Sequence, residues 1–461
     1  MNKRIDAYID SHSEEMISFL SESLHIPSVE GTPEPGAPFG REVNNALLHM
    51  LGGAEKMGFD VTNMEGYAGC VDYGEGDEML GILCHLDVVP EDTGWKYPPY
   101  SATIEDGKIY ARGALDDKGP AVSALYAMAA IKEAGVKTKR RIRLILGTNE
   151  ESGWGCMNYY KAHGEIPHIA FSPDGDYPLV NSEKGIMHAN FAKKFSSNIE
   201  FFAGSAANKV PHEATIIYGG RELTMKEMHD AFSGIPEGTV FEVTPMSDGR
   251  MSFRIEGKSA HAAMNDLGVN ALVMGLSVLA NLPLEGEDAK MAKYLHEKLR
   301  FDLHGEHLGL DFEDASGRQT VNPGVIRWDK DGISVFTLDL RCPTSKKLTD
   351  IFAHLEKVFG EVGLEKSGEQ ELKDGLFVPR DSELVEKLLK VYNDRMGTDA
   401  EPLAIGGGTY ARAFDNAVAF GCEKPGAAST VHMANEYITI DDMILNAKLI
   451  ADAILALACE E

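Results

Sequence analysis

Long apolar runs are missing from this 461-residue chain: nothing approaches the roughly eighteen consecutive apolar residues that a membrane-spanning helix needs. The amino-terminal stretch MNKRIDAYIDSHSEEMISFL follows an amphipathic helical pattern with acidic residues throughout, and it lacks the apolar segment of a signal peptide. Cysteine is scarce and scattered. Cys70, Cys84, Cys156, Cys342, Cys422 and Cys459 form neither a CxxC pair nor a framework spacing, so a disulfide scaffold is excluded and reduced thiols in a cytoplasmic protein are expected. Basic charge is also in deficit. Forty-four Lys and Arg against 72 Asp and Glu leave a formal net charge of −28, a field that no basic patch could offset, so nucleic acid is excluded as the main partner. The short basic run KTKRRIR at 137–143 reads as the solvated entry to a strand. Repeats of 20–50 residues and low-complexity tracts are absent, which leaves an ordinary globular chain without a membrane partner.

What is present is ordinary in bulk and distinctive in detail. Hydrophobic content of 43% with 25% charged residues is that of a globular protein, and the length calls for two or three domains. The distinctive stretch is MLGILCHLDVVP, Met79 to Pro90, where an apolar strand ends on His85 and Asp87. In open α/β sheets the carboxyl end of a strand is where ligands and metals collect. Two more strand-like runs end the same way: RIRLILGTNEE (141–151) on Glu150 and Glu151, and HIAFSPDGD (168–176) on Asp174.

The first 185 or so residues alternate as α/β. Helical patterns over about 3–25 and 40–57 precede strands near 59–62, 67–73 and 79–84. A hairpin follows with Asp106-Gly107 as its turn. GPAVSALYAMAAIKEAG (119–135) is small and apolar on nearly every face and predicts a buried helix stopped by Gly135. A strand (141–147), a helix (153–163) and a strand (168–172) complete the alternation. Beyond about 187 the pattern becomes α+β with antiparallel pairing (HANFAKKF, TVFEVTPM, MSFRIEGK and ISVFTLDLRC among three helices), and from about 378 it returns to helix, glycine-rich loop, short strand and a long final helix. The expected architecture is an α/β domain with a central mixed sheet flanked by helices, in two parts (1–187 and 378–461), interrupted by an α+β domain (188–377).

Each candidate ligand has a bland reading beside it. His85 alone is better explained as a satisfied histidine at a strand end. Asp87, pointing to the same side in extended chain, changes the odds, because it could hydrogen-bond the imidazole as carboxylates do behind metal-bound histidines. Asp116 and Asp117, in RGALDDKGP before the buried helix, could be an N-cap pair, which accounts for one of them. Glu150 and Glu151 would repel each other if both were buried without a cation. With a metal nearby, one serves as ligand and the other as base for metal-bound water. Asp174 adds a carboxylate, and His432 in STVHMANEY a second imidazole. Two His with three or four carboxylates fit two zinc-like ions sharing a bridging carboxylate, with cobalt or manganese as substitutes.

The ordered series HLDVVP, RGALDDKG, TNEESGW, SPDGDYP, GKSAHAA and VHMANEY resembles the zinc aminoacylase/carboxypeptidase metallopeptidases, nearest their dipeptidase branch, the peptidase V-like Xaa-His dipeptidases, over essentially the whole chain. The resemblance implies His85, Asp116 and Asp174 on one zinc and Asp116, Glu151 and His432 on the other. It implies Glu150 as general base, Asp87 as the partner of His85, and a cis peptide at Asp116–Asp117. It makes the inserted domain a lid that supplies His261 for the oxyanion, Asn208 to hold substrate and Arg341 for the substrate's free carboxylate. On residue type alone, His261 would be an exposed histidine and Arg341 a surface charge. Gly407, Gly408 and Thr409 in GGGTYAR are equally a flexible turn or contacts to that same carboxylate. Asp174, where carboxypeptidase relatives carry Glu, implies recognition of a free α-amino group. The long insertion fits an internally doubled lid, and hence a monomer. The expected activity is hydrolysis of dipeptides with a free amino terminus. The alternatives are an N-acyl amino acid deacylase or desuccinylase of the same family and, from another class, a non-catalytic metal-binding scaffold.

Overall fold

The computed structural model describes residues 2–460, and the chain divides into two compact units. The first takes in Met1–Asn181, Phe377–Leu403 and Thr409–Glu461; the second takes in Ser182–Leu376 and Ala404–Gly408.

In the first unit, strands of a mixed sheet run in the order Asp60–Met64, Ala68–Tyr73, Arg140–Gly147, Glu78–His85, Ile169–Ser172, Ala417–Ala419 and Val180–Glu183. The Glu78–His85 strand is parallel to both neighbours, with His85 opposite Gly147 and Leu80 opposite Ile169. From Met79 to His85 it is buried on every residue, which is why its sequence reads as a continuous apolar run rather than an alternation. These three parallel strands bring their carboxyl ends to one rim, and the segments carrying His85, Glu150 with Glu151, and Asp174 all leave from that rim.

The Lys118–Ala134 helix is buried from Lys118 to Ile131 and ends on Gly135 in the left-handed conformation (φ 66°), whose N–H closes on the Lys132 carbonyl. It packs against the carboxyl-terminal helix Ile440–Ala458, which presents Met443, Ala447, Ile450 and Ile454 to the core. The single helix expected over 3–25 is two, Lys3–Ser11 and Ser13–Leu24. His12 breaks it: its backbone N–H and Nδ1 both turn to the Tyr8 carbonyl, and its ring stacks on Tyr8 at 3.9 Å. The predicted hairpin is present as Thr103–Glu105 and Lys108–Tyr110, with positive φ at Asp106 and Gly107, as a tight primed turn requires. Tyr437–Thr439 adds a third strand, pairing Tyr437 with Tyr110.

The second unit is α+β. Its antiparallel sheet runs Phe241–Pro245, Met251–Glu256, Glu213–Tyr218, Ile199–Ala203, Thr320–Asp329, Gly332–Cys342, Gly185–Lys194 and Glu365–Lys366. Helices Ala271–Asn281, Gly286–Leu299 and Leu348–Gly360 bury apolar faces in the same core, where Phe201, Phe253, Trp328 and Phe336 are fully enclosed. The Trp328 indole N–H is satisfied by Ser197 Oγ at 3.0 Å. Among the described residues the six cysteines are free and buried, and no helix is long and apolar enough to cross a membrane.

Candidate metal centre

Five acidic and imidazole side chains converge at the rim of the first unit's sheet. His85 is fully buried at its strand end, and its Nε2 lies 2.9 Å from Asp116 Oδ1 and 3.6 Å from Asp174 Oδ2. The other oxygen of Asp116 lies 3.0 Å from His432 Nε2, which is 3.2 Å from the Glu151 carboxylate. The ligand atoms of His85, Asp116 and Asp174 lie within 4.8 Å of one another, and so do those of Asp116, Glu151 and His432. Asp116 belongs to both sets and turns one oxygen to each histidine.

The backbone explains how these groups are held. The Asp116–Asp117 peptide is cis. Asp117 stands at the N-cap position of the Lys118–Ala134 helix, yet its side chain makes no capping bond; its Oδ2 instead accepts the backbone N–H of His85 at 2.9 Å. The carboxylate of Asp87 does more than face His85. His85 Nδ1 is 3.0 Å from the Asp87 backbone carbonyl and 3.5 Å from its carboxylate, whose two oxygens accept the N–H groups of Glu150 and Glu151 at 3.1 and 3.0 Å. Asp87 therefore ties the two strand ends together. His432 sits at φ 60°, a left-handed conformation that few non-glycine residues adopt and that aims its ring from a loop toward Asp116.

The electrostatics ask for cations. Burial pushes the Glu150 carboxyl well above the usual carboxylate range, although the residue keeps partial solvent access. Burial likewise raises Glu151 and Asp174, with the charge of Asp116 adding to both. Hydrogen bonds to Asp116 and Glu151 hold His432 up to about 10. Among the described residues, no lysine or arginine ion pair reaches Asp116, Glu150, Glu151 or Asp174. Desolvated carboxylates with no lysine or arginine partner, set between two imidazoles, suit a divalent metal site. The site residues present fit such a group.

Thr409, at the edge of the first unit, accepts the Ala411 N–H through its hydroxyl. Asn208, His261, Arg341, Gly407 and Gly408 belong to the second unit. There Asn208 and His261 are neighbours, the Asn208 carbonyl accepting the Ala262 N–H at 2.9 Å. The imidazole of His261 is lowered by burial and by the Arg341 charge. Arg341 is no loose surface charge: its Nε and Nη2 fork onto the two oxygens of buried Asp339 at 2.8 Å, and Nη1 donates to the Gly406 carbonyl.

Sequence reading missed Glu436. It is fully buried, pairs with Arg112 at 2.7 Å, and accepts the N–H groups of Leu115 and Asp116. Its signal was its place four residues after His432 in VHMANEY, a spacing that needs the fold to acquire meaning.

Residues 81–456 match the profile of Peptidase family M20/M25/M40. The chain is 37% identical over 462 residues to a "Putative dipeptidase YtjP" of Bacillus subtilis (strain 168), covering 96% of this chain and 97% of that one. It is 34% identical over 435 residues to a "Beta-Ala-Xaa dipeptidase" of Lactobacillus delbrueckii subsp. lactis, covering 92% and 91%. Among solved structures, human carnosine dipeptidase 1 shares the fold with a TM-score of 0.59 at 17% identity, over 98% of both chains. The mixed-sheet unit with its α+β insertion, the acidic rim and these matches place the chain in peptidase family M20/M25/M40, as a metallopeptidase that hydrolyses peptide bonds with divalent metal.

Proposed function

We propose that the chain is a di-zinc dipeptidase acting on substrates with a free amino terminus. The observation that carries this reading is the shared carboxylate: Asp116 presents one oxygen to His85 and the other to His432. Two ions would be held by His85, Asp116 and Asp174, and by Asp116, Glu151 and His432. Bound there, they supply Lewis acidity, polarising the scissile carbonyl and acidifying a water.

The chain's own groups do the rest. Glu150 is anchored through its backbone N–H to the Asp87 carboxylate. It takes the proton of the attacking water and hands it to the leaving amine. From the second unit, acting as a lid, we assign His261 to the developing oxyanion, Asn208 to holding the substrate, and Arg341 to the terminal carboxylate, with Gly407, Gly408 and Thr409 as further contacts to that group. A lid that engages both ends of the substrate limits it to two residues, and the names of the two relatives support dipeptides as the class. A long inserted lid domain supports a monomer, and buried free cysteines suit a reducing, cytoplasmic setting.

A metal assay with a substrate panel tests the reading. The purified chain should carry about two zinc per molecule. It should hydrolyse Xaa-His and Ala-Leu dipeptides far faster than tripeptides or N-acetyl amino acids. Turnover confined to N-acetyl amino acids would make it a deacylase, and a metal-loaded chain with no turnover would make it a scaffold.

A further inference from the structure

The buried pair Glu436–Arg112 has no place in the chemistry above, yet it touches the segment that carries the shared carboxylate. Glu436 is 0% exposed and Arg112 1%. Oε2 of Glu436 accepts from Arg112 Nη1 at 2.7 Å, and the guanidinium lies 5.4 Å from the Trp95 ring. Oε1 of Glu436 accepts two backbone donors, Leu115 N–H at 2.9 Å and Asp116 N–H at 3.2 Å. The Glu436 carbonyl in turn accepts the Ala111 N–H, and the next residue, Tyr437, is in register with Tyr110. One residue therefore fastens the Asp116 segment to the segment that delivers His432, from beneath both.

We propose that Glu436 is a positioning residue: through Oε1 on the Leu115 and Asp116 N–H groups it sets the Asp116 carboxylate midway between His85 and His432, while Arg112 neutralises it. This rests on the metal assignment made above. A carboxylate that must bridge two cations has little angular freedom, because its two oxygens serve different partners. Asp116 lies outside every helix and strand, and a buried side-chain acceptor holds its backbone amide. Groups that orient ligands from behind are worth about 10- to 100-fold in metal affinity.

The proposal separates the acceptor from the charge pair, and two double variants of the full chain do the same. Glu436→Gln with Arg112→Met keeps an amide oxygen for the two N–H groups. Glu436→Met with Arg112→Met has a similar volume and no acceptor. Both remove the buried ion pair, and replacing such pairs with well-packed apolar groups is often tolerated. The stripped proteins are titrated with Zn²⁺ against a chromophoric chelator, and folding is checked by circular dichroism. The Gln/Met variant should bind Zn²⁺ within about threefold of the unsubstituted chain, and the Met/Met variant about 10- to 100-fold more weakly. Equal affinity in the two overturns the proposal. If Met/Met does not fold, Gln/Met decides alone: a loss of tenfold or more means the charge pair, not the acceptor, matters, and the proposal fails. Asp116→Asn in the same titration keeps the two levels apart. If it binds Zn²⁺ as the unsubstituted chain does, the metal assignment itself falls; if it loses Zn²⁺ while Gln/Met and Met/Met match, only the role of Glu436 falls.

Discussion

Asp87 accepts the backbone N–H of Glu150 at 3.1 Å, and with its other oxygen that of Glu151 at 3.0 Å, while its own carbonyl meets His85 Nδ1. One buried residue thus holds the proposed base and one proposed ligand through its carboxylate, and a second proposed ligand, His85, through its backbone carbonyl. Asn in its place offers one acceptor and one donor, so one N–H would face an N–H. Asp87→Asn should lower kcat by about 10- to 100-fold and weaken metal retention. Steady-state kinetics with zinc content by elemental analysis checks this; activity within threefold of the parent would show that neither N–H needs the carboxylate.

The parts of this site that the sequence displays are those that depend on one strand at a time. Runs ending in His-x-Asp, Glu-Glu and Ser-Pro-Asp are visible because a strand buried on both faces must be apolar until it emerges. Asp117 and Glu436 were not visible in their roles, since each bonds to a backbone donor far away in sequence: His85 N–H in one case, Leu115 and Asp116 N–H in the other. The same holds for the fold. Helix Gly286–Leu299 escaped notice because charged residues crowd EGEDAKMAKYLHEKL and its buried stripe is narrow: Asp288, Met291, Ala292, Leu295 and Leu299. The break at His12 depends on a histidine turning back to Tyr8, which periodicity does not register.

Glu150 is the residue whose removal should separate chemistry from metal binding. Glu150→Gln keeps shape and volume but cannot accept a proton. Hydrolysis of Ala-Leu should fall by about 100- to 10,000-fold, the usual range for a lost general base. Zinc content should stay near that of the parent. A variant that loses its zinc as well would make Glu150 a ligand instead.

Metal binding and proton binding compete here, which gives a pH signature. In the stripped chain, hydrogen bonds to Asp116 and Glu151 hold His432 up to about 10, against an ordinary value near 6.5. Burial works against the charge of His85, but hydrogen bonds to Asp116, Asp174 and Asp87 outweigh it and raise this group too. The stability that protonated His432 contributes is fully present below about 6.5 and is lost as pH rises through about 10. Coordination needs the unprotonated ring, so metal affinity climbs over that same window, by up to about tenfold per pH unit for each proton displaced. The gap in Tm between zinc-loaded and chelator-treated protein should therefore widen from pH 6.5 to pH 9. Differential scanning fluorimetry with and without a chelator measures it, and a gap that narrows with pH would count against histidine ligation.

Arg341 carries a stability role and, by our assignment, a binding role, and two substitutions pull them apart. Its guanidinium forks onto Asp339, which is fully buried and also meets His188 Nε2 at 2.8 Å. Arg341→Ala leaves that carboxylate with only His188, and breaking a buried pair from one side costs about 3–5 kcal/mol. Arg341→Lys keeps the positive charge beside Asp339 and so should retain most of the stability. An ammonium cannot hold Asp339 with two parallel bonds and still present a planar face to a second carboxylate. If that second carboxylate is the substrate's, Arg341→Lys should raise KM for dipeptides by about 10- to 100-fold while kcat changes little, the pattern of lost ground-state binding. A dipeptide amide, which lacks the carboxylate, is the control: it should be a poor substrate for the parent and no worse for Arg341→Lys. Equal losses on the free dipeptide and its amide would confine Arg341 to holding Asp339.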